Sequence, residues 1–120
     1  MPRWIEKPVT AEAAGTPPKL IEEFVGVPST GTAEVSVARM RSPGGWQEPR
    51  QRPQFREITL VLAGELCVEF AGGKRTVRAG QALMTEPGEW VRYSTPAAQG
   101  AEYVAICLPA FTPQSVHREG

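Results

Sequence analysis

The chain has 120 residues, enough for one buried core and too few for two ordinary domains. Thirteen Lys+Arg balance thirteen Asp+Glu, so the formal charge is zero and there is no electrostatic footprint for nucleic acid or an anionic membrane surface. Glycine and proline, 12 of each, exclude a helical bundle and favour short strands joined by turns.

Other absences narrow the chemistry. The chain contains no Asp and no Asn, which removes EF-hand loops and any Ser-His-Asp triad. With His117 as the single histidine, one chain cannot build a site from two or three imidazoles. Cys67 and Cys107 lie in apolar alternating segments and form no CxxC pair, so both are expected as buried, inert thiols. No apolar run approaches a membrane span and no signal-like segment follows Met1, so a soluble, cytoplasmic protein is expected.

In chain order, residues 1–19 carry Pro2, Pro8, Pro17 and Pro18 and are expected as an extended arm. A short strand follows at Leu20–Val25, and the β-branched, alternating stretch Thr32–Met40 predicts another. Residues 42–54 form a polar loop. Phe55–Ala63 is the strongest strand, and Gly64-Glu65 is expected to turn into a second, Leu66–Phe70. Gly72-Gly73 signals a hairpin into Lys74–Arg78. Strands at Gln81–Thr85, Glu89–Tyr93 and Ala101–Leu108 complete an all-β domain over residues 20–110. In the tail, residues 111–120, Thr112-Pro113 predicts one helical turn ending near His117. Seven or eight closely spaced strands imply a sandwich or barrel.

Two spaced frames stand out: Gly44-x5-Arg50-x-Arg52-x4-Glu57-x6-Gly64 and, after fifteen residues, Gly80-x5-Glu86-x-Gly88-x2-Val91-x3-Thr95. They resemble the paired motifs of small single-domain type-2 cupins over residues 40–108. The resemblance implies a double-stranded β-helix, or jelly-roll barrel. In that family two histidines and a glutamate of the first motif, with a histidine of the second, hold one divalent metal. Here those positions carry Arg50, Arg52, Glu57 and Val91, or Gln51 and Pro53 with the shorter motif spacing. Guanidinium groups have no lone pair to offer and Val91 offers nothing. Gln51 with Glu57 makes only a weak oxygen pair. No tight metal and no other cofactor is therefore expected, with only weak divalent binding left open.

Period two puts Glu57, Thr59 and Val61 on one strand face, which the resemblance makes the barrel interior. A buried carboxylate needs a partner, and Arg50 or Arg52 is the expected one. The candidate ligand site is thus Arg50, Gln51, Arg52, Glu57, Val91 and Tyr93, taking a small anionic or carbonyl-bearing metabolite. Trp46, Phe55 and Trp90 are further candidates for the pocket wall. The alternatives are a structural ion pair, an isomerase, cyclase or lyase with Glu57 as general acid/base, and a weakly metal-dependent oxygenase. The five arginines between 39 and 56 are expected to form a mixed, solvated rim. On the opposite strand face Ile58, Leu60 and Leu62 are all apolar, which predicts a covered surface: a homodimer, with the N-terminal arm contributing.

Overall fold

A computed structural model describes residues 2–13 and 15–118; Met1, Ala14 and Glu119–Gly120, at the ends of or within the expected arm and tail, lie outside the described residues. The strands are β1 (Val9–Ala13), β2 (Lys19–Val25), β3 (Ser36–Ser42), β4 (Trp46–Gln47), β5 (Arg56–Phe70), β6 (Gly73–Arg78), β7 (Ala82–Thr85), β8 (Arg92–Thr95) and β9 (Ala101–Leu108), with one short helix, α1 (Val27–Thr30). All pairings are antiparallel, in the order β1-β2-β3-β9-β5-β8-β4, with β6 and β7 also bonded to β5.

The β5 strand joins the two halves of the barrel. Its first part pairs with β9 and β7, and its second part with β6 and β8. The expected turn at Gly64-Glu65 is a bend instead: the register with β9 slips between Val61 and Ala63, and the ladder continues. Gly64 takes φ 73°, and a Cβ there would collide with the Gly100 carbonyl oxygen, so only glycine lets the strand curl at this point. A β-bulge of this kind leaves Leu62 out of the register and lets one strand serve both halves of the barrel.

Other boundaries also differ from expectation. Val9–Ala13 is not a free arm but pairs with β2, from Val9 opposite Glu23 to Ala13 opposite Lys19. Trp46–Gln47 gives the expected polar loop a short strand on β8. The expected strand at Glu89–Tyr93 forms at Arg92–Thr95, because Pro87-Gly88 and the backbone bridge from Val91 to Gln51 occupy the preceding residues. Thr112–Ser115 closes a single hydrogen-bonded turn through Ser115 N–H to Thr112 O at 3.1 Å, with no helix following it.

The core is built from Trp46, Val61, Leu66, Val68, Val77, Val91, Tyr93 and Tyr103, drawn from both halves of the barrel. Among the described residues no helix is long and apolar enough to cross a membrane.

The outer face of β5, β7 and β9 is apolar and open. Leu60 is 41%, Leu62 46% and Met84 59% exposed, and register places Ile58 beside Ile106 and Leu60 beside Val104. The N-terminal segment does not cover it, since β1 lies beyond β2 and β3 at the far edge of the sheet. Contiguous apolar surface of this kind is rare on monomers. We propose a two-fold dimer through this face. Light scattering should report about twice the 13.0 kDa chain mass, and Leu60→Glu should shift the protein to monomer. A wild-type monomer at micromolar concentration contradicts the pairing.

Candidate functional site

The barrel holds a cavity of about 500 Å3, lined in part by the C-terminal segment from Phe111 to Arg118. Its walls are mostly apolar, with a row of inward side chains set by strand alternation. On β5 these are Glu57 and Thr59, and on β9 they are Tyr103, Ala105 and Cys107, with Glu57 directly opposite Cys107 and Thr59 opposite Ala105. On β3, Ser36 and Ala38 continue the same two levels. Lys19 opens β2 at the level of Ser42 and points inward, 6% exposed.

The polar groups form one cluster. Tyr93 crosses from β8 and donates its hydroxyl proton to Glu57 Oε1 at 2.9 Å. The Cys107 thiol approaches Glu57 Oε2 at 3.6 Å. Lys19 Nζ donates to the Tyr103 hydroxyl at 3.5 Å and stands 4.7 Å from the Trp46 ring centroid. That hydroxyl is shared with Ser42 Oγ at 3.0 Å. The ammonium thus has an aromatic face on one side, where a cation is attracted by the ring quadrupole. Glu48 follows β4 and is 4% exposed, and among the described residues neither its Oε1 nor Gln51 Oε1 has a hydrogen-bond partner.

Electrostatics follow from enclosure. Burial pushes the Glu57 carboxyl above its usual 4.5, against the Tyr93 hydroxyl, the Lys19 charge and the Cys107 thiol. Burial also raises Glu48; Lys19 and Arg118 oppose the shift, while Glu57 adds to it. For Lys19 burial works against the charge, yet Tyr103, Glu48 and Glu57 outweigh it and hold the ammonium above its usual 10.5. Burial and the neighbouring Glu57 push the Cys107 thiol far up, which leaves it protonated and a poor nucleophile. Cys67 is buried elsewhere, and neither thiol is disulfide-bonded.

The expected site is only partly assembled. Gln51, Glu57 and Tyr93 line the cavity, whereas Arg50, Arg52 and Val91 do not. The reason is register. Gln51 and Val91 exchange both backbone hydrogen bonds at 2.9 Å, which turns Gln51 inward and its two neighbours outward. Residues 51, 53, 55 and 57 are buried while 50, 52, 54 and 56 are exposed. Arg50 stacks 4.0 Å from the Trp90 ring centroid, and Arg52 donates to the Gly88 carbonyl at 3.0 Å. The expected Glu57–arginine pair is therefore replaced by Lys19, Tyr93 and Cys107 around Glu57. Val91 is fully buried core. Of the other candidates, Phe55 lines the cavity, while Trp46 is packed in the core beside Lys19. The arginine rim is tied up in part by acids: Arg39 and Arg41 to Glu22, and Arg56 to Glu86.

Lys19 and Glu48 carry no sequence signal of their own. Both types are rarely buried, and one sits in the apparent arm, the other in the apparent loop. Nor does the donor set suit a divalent metal. Of the family's ligand positions, only Glu57 carries a side chain both inward and able to ligate well, and a buried ammonium shares its neighbourhood. Among the described residues no group of three His, Cys, Asp or Glu could hold a metal ion.

The carboxyl shifts carry a stability consequence. Below the usual 4.5, Glu48 and Glu57 are protonated in both folded and unfolded chains. As pH rises past that value the unfolded chain releases protons that the folded chain keeps, so their contribution is lost through the raised folded values. Urea melts should show wild type losing stability relative to Glu48→Gln/Glu57→Gln as pH climbs from about 4.5 toward neutral. Parallel pH profiles for the two proteins contradict the burial of these charges.

With this geometry in view, comparison with known proteins fixes the family. The cupin domain family model matches residues 38–107, more than half of the chain. Endoribonuclease YbeY of Myxococcus xanthus is 43% identical over 101 residues; the match takes in 84% of this chain but spans only about a third (34%) of that protein's length. Among solved structures, a predicted oxalate decarboxylase from Thermotoga maritima superposes with a TM-score of 0.74 at 18% identity, covering 91% of this chain and 99% of its own. Oxalate decarboxylase from Bacillus subtilis gives 0.78 at 16%, covering 95% of this chain and 30% of its own. The polyketide cyclase RemF from Streptomyces resistomycificus gives 0.76 at 15%, covering 100% of this chain and 86% of its own. At such identities the structural likeness speaks for the fold alone. The sequence match and the curled antiparallel barrel agree, and the chain belongs to the cupin family.

Proposed function

We propose that the barrel interior binds a small metabolite bearing a carbonyl group, without a tightly bound metal. The observation that carries this is Lys19: a buried ammonium, held on Trp46 and Tyr103, faces a largely apolar cavity large enough for a small metabolite. A carbonyl oxygen needs only one such donor. An anionic ligand would have to share the cavity with Glu23, Glu48 and Glu57, three acids against the two cations Lys19 and Arg118, and like charges at close range disfavour it. Gln51, Glu57 and Tyr93 remain the ligand-contacting residues of the site, now joined by Lys19 and Glu48.

A second function is favoured by a specific contact. Glu57 is a desolvated carboxyl with a tyrosine hydroxyl fixed at 2.9 Å, the kind of environment that readies a carboxyl for proton transfer. In that case the protein is an isomerase, cyclase or lyase with Glu57 as the general acid/base. For metal-assisted oxygenation, no group of three His, Cys, Asp or Glu stands together among the described residues.

Two measurements test binding. Elemental analysis of untagged protein should give far less than one transition metal per chain; one equivalent that is lost on Glu57→Ala contradicts the metal-free site. 2-Tetralone, a neutral bicyclic ketone, should bind by saturation-transfer NMR, and Lys19→Met should weaken it at least about tenfold, or ~1.4 kcal/mol. An affinity unchanged by Lys19→Met, in a variant with wild-type circular dichroism, overturns the role of the ammonium.

A further inference from the structure

The cavity holds a second carboxyl that the acid/base scheme above leaves unused. Glu48 is buried, lines the same space as Glu57, and presents an oxygen with no hydrogen-bond partner. The two carboxyls differ in their surroundings. Glu57 receives the Tyr93 hydroxyl and the Cys107 thiol, both of which stabilise a carboxylate. On Glu48 the Tyr93 backbone favours the carboxylate, but Oε1 has no partner among the described residues, a situation that suits a carboxylic acid whose O–H awaits an acceptor. The groups facing Glu48 are Lys19 from β2, Glu57 from β5, Tyr93 from β8 and Arg118 from the C-terminal segment. Lys19 and Arg118 bring positive charge to the two buried carboxyls, while Glu57 disfavours negative charge on Glu48.

We propose that Glu48 is a second catalytic residue, the general acid opposite Glu57 as base, and that the substrate class is an enolisable carbonyl compound. This rests on the Glu57 acid/base scheme above and extends it. Glu57 carboxylate takes the proton from the carbon next to the carbonyl, and the C–H electron pair becomes the C=C bond. The carbonyl π pair moves onto oxygen, which takes the proton from Glu48. The product is a neutral enol, Glu57 ends protonated and Glu48 ionised, and no oxidant or reductant is involved. Return of a proton from Glu57 to carbon, at the same or a conjugated position, and of the enol proton to Glu48 restores both groups. Lys19 stabilises the developing charge on oxygen throughout, as a fixed donor in a low-dielectric site does.

The test is exchange of the α-protons of 2-tetralone into deuterium oxide, followed by proton NMR with the full chain. Wild type should accelerate exchange over buffer. Glu57→Gln should abolish the acceleration. Glu48→Gln should lower kcat by roughly a hundredfold with KM within a few-fold, and remove the alkaline limb of the pH–rate profile. Glu48→Asp should recover part of the rate. Difference infrared spectra of wild type against Glu48→Gln, at the pH of the exchange assay, should show one protonated carboxyl, a readout independent of turnover. Binding of 2-tetralone without exchange, or exchange unaffected by Glu48→Gln, overturns the Glu48 assignment and leaves carbonyl binding standing. Failure of 2-tetralone to bind at all overturns both. If Glu48→Gln does not fold, an infrared spectrum of wild type against Glu48→Asp with no protonated carboxyl overturns the assignment by itself.

Discussion

A lysine ammonium inside a β-barrel is the constraint on which the site depends. Removing a charge from water is costly, and the cost is met only when fixed partners surround it. Lys19 has them: the Trp46 ring, the Tyr103 hydroxyl, and the carboxyls of Glu48 and Glu57 in the same enclosure. Tyr103 is placed by its position on β9, facing Met40 on β3, and Lys19 by the start of β2. The charge arrangement is therefore a product of sheet register. The barrel that sets this register also buries these groups, and burial strengthens the interaction between them.

This view explains why the family's ligand positions can change so far while the fold persists. In the family's metal site one glutamate stands among three histidines; here the Lys19 ammonium, from β2, acts on Glu57 inside the barrel. Val91, at the position of a family histidine, becomes core, and its backbone still bridges Gln51 on the facing segment. The Gly64 bend that lets β5 serve both halves is independent of what occupies the cavity.

How much was legible in the sequence depends on whether the signal was local. Ala101–Leu108 alternates cleanly and folds as predicted, with Tyr103, Ala105 and Cys107 inward. Glu57 was found because period two and the motif glycines agree on its face. Arg50 and Arg52 were misplaced because phase in the preceding loop is set by a nonlocal bridge, Gln51 with Val91, forty residues away in sequence. A one-residue slip in phase reverses every side chain, and the shorter motif spacing through Gln51 and Pro53 has the phase the fold adopts. Lys19 had no local signal at all. Its partners come from β4, β5 and β9, and no window around residue 19 contains them. The N-terminal strand was hidden by prolines that flank it without interrupting it.

The central claim, that a charged lysine stands in the barrel among the acids, is open to direct observation by 15N NMR of lysine side chains, with Lys19→Met identifying the resonance. Lys19 should keep its proton beyond 10.5, the ordinary lysine value, and release it only at higher pH. A Lys19 signal that loses its proton below 10.5 would mean that burial, rather than the surrounding acids, governs the group, and the account of the cavity would be contradicted.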